Sequence, residues 1–220
     1  MISALSIKVA ALLIILWLLY FTIHSLLASL AFKRAVASYY PALMPWYRLL
    51  YNGLSLLLLI VPLLLLYLYP GEMLWSWQGA WAWLANGLAL LAVIAFVWSL
   101  SFYDNGEFIG TRQLRSGRRS IEEQGSFHIS PLHRYVRHPW YALGLVILWT
   151  RDMTVSLLVS AVLVTLYILV GAMLEERKLL VFHGERYRRY RQRVPALLPW
   201  PGRSLSRAEA DEILRQDGTD

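Results

Sequence analysis

Five stretches of the chain carry no Asp, Glu, Lys or Arg: Val9 to Phe32, Leu49 to Gly71, Met73 to Tyr103, Pro139 to Thr150 and Met153 to Leu174. They hold 24, 23, 31, 12 and 22 residues. A helix needs about 20 apolar residues to cross a hydrocarbon layer about 30 Å thick. Four runs meet that length. The remaining one, 139–150, reaches only about 18 Å as a helix. Charged residues make up 16% of the chain, against about 25% in a soluble domain. That composition excludes a disordered chain and argues against a soluble one. The first run exceeds the ~7–15 apolar residues of a secretory signal and is read as a retained helix.

The basic residues orient the chain. With five crossings and a tight turn at Arg151-Asp152, the loops on one side are 33–48, 104–138 and 175–220. They contain 19 of the 21 Lys and Arg residues, leaving Lys8 and Arg151 on the other side. Basic loops mark the cytoplasmic face, so the N-terminus is expected outside and the C-terminus inside. Trp75, Trp77, Trp81 and Trp83 are expected at the outer interface, where indoles favour the headgroup zone. Pro62 interrupts the second run and is expected to kink it.

The expected fold is therefore all-α and integral to the membrane. It has five transmembrane helices, the last two forming a helical hairpin, with a cytosolic cap. Residues 1–103 form an N-terminal three-helix region and 104–202 a core of loop, hairpin and cap. The polar tail 203–220 is expected to be disordered. The chain has no cysteine, which excludes disulfides, thiolate metal sites and cysteine nucleophiles. No metal site is expected.

Polar residues concentrate in 104–138 and 175–200. Pro139 suits the first turn of a helix, where its missing N–H has no partner to lose. His138 then stands at the helix start, a place that favours anions. Counting back from the turn sets His138 level with about Leu166 and Glu175 about 13 Å further along, so the last helix must project into the cytosol. Each feature also has a plainer reading. Arg137 and His138 could anchor a helix at the headgroups. Glu175-Glu176 could be a solvated helix end. Tyr187 and Tyr190, among five arginines from 186 to 193, suit an interfacial amphipathic helix. His24-Ser25 could be interhelical glue, although ionisable groups at depth are candidates for function.

The string RYVRHPWYALG, a hydrophobic hairpin, and then LEERKLLVFHGERYRRYRQRVPALLPWPG resemble the integral-membrane methyltransferases of the isoprenylcysteine carboxyl methyltransferase and phospholipid methyltransferase superfamily. HSLLASLAFKR, the Arg48 to Asn52 helix start, GTRQL at 110–114 and TRDMTVSLL are similar to one branch of it. That branch contains methanethiol S-methyltransferases, nurim-like proteins and membrane proteins associated with nitrite and nitric oxide reductases. Where Gly-x-Tyr is common before the Arg-x-x-Arg-His-Pro stretch, this chain has Pro131-Leu132-His133.

The resemblance implies an S-adenosylmethionine-dependent methyltransferase in a bacterial inner membrane, with its C-terminus cytoplasmic. It implies that Leu132, His133, Tyr135, Arg137, His138, Tyr141, Glu175 and Glu176 surround the cofactor. Arg137 and His138 would hold its carboxylate by charge-assisted bonds, and Glu175 or Glu176 its ammonium or a ribose hydroxyl. Tyr141, Tyr135 or Phe127 would face the adenine or sulfonium. Glu175, Glu176 and His24 are the candidate catalytic groups. Arg112, Gln113, Tyr187 and Tyr190 are the candidates for acceptor contact. The expected partners are the lipid bilayer and a small or lipophilic acceptor, first a thiol; no nucleic acid is expected. A prenylcysteine carboxylate, a phospholipid amine and a non-catalytic nurim-like scaffold are the alternatives.

Overall fold

The computed structural model describes residues 4–116 and 127–215. Its elements are α1 (Ala4–Ala28), α2 (Leu30–Tyr39), α3 (Tyr47–Leu68), β1 (Met73–Trp75), α4 (Gly79–Ser99), α5 (Asn105–Ile109), α6 (Thr111–Ser116), α7 (Pro139–Trp149), β2 (Met153–Thr154), α8 (Val155–Arg193) and α9 (Arg207–Arg215). Among the described residues, four helical segments are long and apolar enough to cross a membrane: Ile7–Ala28, Pro41–Leu68, Gly79–Phe102 and Val155–Arg193. The run at 139–150 forms only the short α7, about 16 Å long. Leu56, Leu91, Val97 and many like them stand exposed on these helices. Apolar faces so extensive are not tolerated in water. The protein is an all-α integral membrane protein.

The chain divides into two compact units. In the first, α1 and α3 pack together. The stripe Leu13, Trp17, Phe21 of α1 is buried, at the i, i+4, i+8 spacing of one helix face. The Trp17 indole donates to Ser160 Oγ (2.9 Å) in the first turns of α8. β1 and β2 pair antiparallel, and Ser156 Oγ donates to the Tyr69 carbonyl (2.6 Å). Asn52 Nδ2 donates to the carbonyls of Phe108 and Ile109, and Arg48 Nε to that of Phe108. Those bonds dock α5 and α6 on the start of α3. Gly110 makes the approach possible: its φ is +105°, and a Cβ there would lie 2.9 Å from the Leu49 nitrogen. α3 continues through Pro62, which is buried.

In the second unit, α4 packs on α7 through the small buried residues Ala85, Ala89 and Ala92. Small residues let two backbones approach closely. Trp140 Nε1 donates to Ser99 Oγ (2.7 Å). This unit joins α4 to α7, the later part of α8 and α9. α7 lies antiparallel to α8. The Trp149 indole bonds Thr165 Oγ1 (3.0 Å) at one end, and His138 Nε2 lies 3.1 Å from Glu176 at the other. The register expected from a tight turn at 151–152 is thus wrong by about ten residues. Just past the expected turn the chain is extended as β2, paired with β1, and α8 begins only at Val155.

The tail also differs from expectation. Residues 207–215 form α9, with Ser206 and Glu209 capping each other reciprocally: Glu209 Oε2 accepts from the Ser206 nitrogen (2.7 Å), and Ser206 Oγ from the Glu209 nitrogen (3.2 Å). This is a capping box. Ala210 is buried, and Ile213 and Leu214 pack on the cap core of Ile129, Tyr187, Tyr190, Val194 and Leu205. Apolar burial and a cap hold a segment whose polarity suggests disorder. Residues 216–220 lie outside the described residues.

Candidate functional site

α8 does not run straight to its end. Gly184 interrupts it with φ 48° and ψ −126°, a conformation open essentially to glycine. Glu176 and Arg191 are fifteen residues apart in the sequence, about 22 Å along a straight helix. Yet Arg191 Nε stands 3.2 Å from Glu176 Oε2. The helix therefore folds back at Gly184, and its last turns return to Glu176.

The returning chain meets the segment before α7. The Arg137 and His138 nitrogens donate to the carbonyls of Pro195 (2.9 Å) and Ala196 (3.0 Å). Arg134 and Leu205 exchange further bonds, Nε to Leu205 O (2.9 Å) and Leu205 N to Arg134 O (3.0 Å). These backbone ties hold the Arg137-His138-Pro139 stretch against the chain around Val194-Pro195.

At the junction is a charge network. Arg137 Nε donates to Glu176 Oε1 (2.8 Å), and its Nη2 lies 2.6 Å from the same oxygen. Arg137 Nη1 donates to the carbonyls of Arg191 (3.1 Å) and Val194. Both the Arg137 and Glu176 side chains are only 9% exposed. Arg137 thus binds a carboxylate and the carbonyl end of a helix together, and a cation is favoured at both. His138 has a carboxylate at each ring nitrogen, Glu176 Oε1 at 3.1 Å and Glu175 Oε2 at 3.5 Å. Tyr141 stacks on the imidazole, 5.4 Å between centroids, and its hydroxyl donates to Glu175 Oε2 (3.3 Å).

Burial and the positive end of α7 both disfavour a charged His138. The hydrogen bonds and charges of Glu175 and Glu176 outweigh them and raise its pKa to about 9. Facing carboxylates on both sides, the ring donates from both nitrogens and is an imidazolium at neutral pH. His133 goes the other way. Burial, then the charges of His128 and His138, lower it to about 4, and Ser130 Oγ holds its Nδ1 at 2.7 Å.

A pKa raised on folding contributes stability that is complete below the unfolded value and lost as pH rises through the folded one. Thermal unfolding in detergent should therefore show full His138 stabilisation below pH about 6.5, fading as pH passes about 9. His138→Gln should flatten that slope; an unchanged slope in the variant would assign it elsewhere. Gly184→Ala should lower stability by roughly 1–3 kcal/mol, the usual cost of a forced left-handed residue, and should free Arg191 from Glu176. A melting temperature equal to the parent's would contradict that.

The second unit thus brings together Arg137, His138, Tyr141, Glu175 and Glu176. Leu132 and His133 sit in the short helical turn just before, and Tyr135 is half exposed beneath the Arg134 guanidinium. Tyr187 and Tyr190, expected at the acceptor or at the lipid interface, are sealed inside the cap core at 1% and 2% exposure. Tyr190 donates to the His133 carbonyl (2.7 Å). Their i, i+3 spacing serves packing, and the arginines between them face outward.

The other candidates lie in the first unit. His24 bonds Ser55 Oγ (3.1 Å) and Tyr51 (2.8 Å) between α1 and α3. Arg112 pairs with Asp104 beside a recess of about 430 Å³ lined also by Gly106, Thr111, Arg115 and Ser116. Gln113 Nε2 donates to the Glu107 carbonyl (3.1 Å), while its buried oxygen has no partner among the described residues. Sequence reading did not single out Arg191 or the Gly184 reversal. Nothing distinguishes Arg191 among five neighbouring arginines until the fold-back is known.

The molecule is thus a membrane-embedded α-helical protein with a buried Arg–His–Glu network at a helix start. Its relatives carry an enzyme's name. A methanethiol S-methyltransferase of Pseudomonas sp. (strain GM41(2012)) is 34% identical over 186 residues, covering 80% of this chain and 68% of that protein. Methanethiol S-methyltransferase 2 of Bradyrhizobium diazoefficiens is 36% identical over 192 residues, covering 86% and 71%. A methanethiol S-methyltransferase of Mycobacterium tuberculosis is 34% identical over 193 residues, covering 82% and 74%. No family model and no solved structure matches the chain. The chain belongs to the methanethiol S-methyltransferase family, and is accordingly a membrane methyltransferase.

Proposed function

We propose that the protein transfers a methyl group from S-adenosylmethionine to a small or lipophilic thiol. The observation that carries this reading is how the charge network divides. Arg137 and Glu176 are buried and occupied with each other, whereas Glu175 and Arg191 have half-exposed side chains, 49% and 50%. An exposed carboxylate, an exposed guanidinium and the neighbouring rings of Tyr135 and Tyr141 match the ammonium, carboxylate and adenine of this donor. Its sulfonium supplies an activated methyl group.

The buried pair then acts as a frame. Arg137 and His138 fix Glu176 and the fold-back. Glu175 takes the ammonium or a ribose hydroxyl, and Arg191 meets the carboxylate. Three cations (Arg137, His138 and Arg191) against two carboxylates leave a positive balance. That balance favours the thiolate, the nucleophilic form of a thiol. Glu175, whose side chain is half exposed, is the carboxylate to which the thiol proton can pass. Methyl transfer needs alignment and exclusion of water more than acid–base power.

The same reading includes the topology. α7 and α8 form a hairpin that completes five crossings, with the N-terminus outside, and the cap and C-terminus in the bacterial cytoplasm beneath the inner membrane. The split of basic residues supports it. A reporter fused after Asp220 should be active only in its cytoplasmic form; periplasmic activity alone would overturn the orientation. For the activity, purified protein given S-adenosylmethionine should methylate thiols in preference to prenylcysteines and phospholipid amines.

A further inference from the structure

Beyond Glu176, α8 carries an apolar surface that the cap does not use. Leu179 and Leu180 pack on the cap core, and His183 lies against Phe127. They share the face that carries Glu176. On the opposite face, Val170, Leu174, Val181 and Phe182 are exposed, Val181 at 82%. Arg177 and Lys178 stand between Leu174 and Val181 on that face, both exposed. They have no hydrogen bond or ion pair among the described residues. The neighbouring Arg188, Arg191 and Arg193 each have a glutamate.

Val170, Leu174 and Val181 follow helical spacing, so the stripe continues the lipid-facing side of the span. Val181 is seven residues past Leu174, about 10 Å along the axis. The headgroup layer is about 5–8 Å deep on each side of the hydrocarbon. A helix tilted by about 20°, the average value, keeps its lower face near that layer.

We propose that this stripe is a binding site for an anionic phospholipid of the surrounding bilayer. Arg177 and Lys178 take the headgroup phosphate, and Val181 and Phe182 rest at the acyl boundary. Two unpaired cations bracketed by apolar side chains suit a lipid, which offers both chemistries, better than a free anion or an apolar protein surface. The bound lipid steadies the turn of α8 that presents Glu175 and Glu176. The proposal rests on the reading that α8 crosses the membrane with its cap in the cytoplasm.

The chain has no cysteine, so single cysteines can be labelled without background. Nitroxides at Val181→Cys and Phe182→Cys in phosphatidylcholine–phosphatidylglycerol nanodiscs should be accessible to oxygen and shielded from a water-soluble relaxant. A label at Arg188→Cys should show the reverse. Arg177→Gln with Lys178→Gln should weaken phosphatidylglycerol retention in native mass spectrometry by roughly thirtyfold, at the usual strength per basic side chain near an anionic surface. Inorganic phosphate alone should not displace the lipid. Water-like accessibility at 181, unchanged retention in the double variant, or spin–spin broadening from a second copy would each overturn the proposal. Neither readout uses methyl transfer, so this failure is distinct from failure of the enzymatic reading.

Discussion

Arg137→Ala is expected to destabilise the protein by roughly 3–5 kcal/mol, the scale of breaking a buried ion pair from one side. The guanidinium holds Glu176 and the carbonyls of Arg191 and Val194 together. Its removal leaves a carboxylate only 9% exposed without its principal partner, and it unties the returning end of α8. Arg137→Lys should recover only part of the loss, because an ammonium cannot bridge a carboxylate and two carbonyls in one plane. Thermal unfolding in detergent or nanodiscs measures this. A melting temperature for Arg137→Ala within error of the parent's would show that the network is not what holds the fold-back.

Glu175→Gln should do the opposite. Its side chain is half exposed, and ion pairs so exposed contribute about 0–1 kcal/mol. The melting temperature should stay close to the parent's. Turnover should fall by about 10²–10⁴, the usual contribution of a positioned proton-transfer group. Together the two variants separate the buried frame from the exposed working group. Parent-level turnover in Glu175→Gln would remove that carboxylate from the chemistry.

Much of this arrangement is legible in the sequence. Charge-free runs mark the four long helices because hydrocarbon tolerates no unpaired charge, a constraint that acts residue by residue. Pro139 marks the start of α7, and the Glu175-Glu176 pair marks the part of α8 that meets it. What the sequence withholds depends on non-local geometry. Met153 and Thr154, just past the expected turn, form a strand with Met73–Trp75. Nothing local announces that pairing. The fold-back depends on one glycine, and any of several φ values could have been drawn from Gly184 in advance. Tyr187 and Tyr190 look interfacial because five arginines surround them; only a cap core on their inner side reveals them as packing residues. In the tail, Ser206-x-x-Glu209 is a capping signal visible in the sequence.

If the network around His138 serves methyl transfer from S-adenosylmethionine to a thiol, cofactor binding and product formation must go together. Purified protein should be titrated with S-adenosylmethionine by calorimetry, then given methanethiol while dimethyl sulfide is measured by gas chromatography. Saturable binding is expected, weakened in Glu175→Gln, with dimethyl sulfide formed in step with cofactor consumption. Folded protein that binds no S-adenosylmethionine, or that binds it and methylates a prenylcysteine or phospholipid amine but no thiol, would contradict that role.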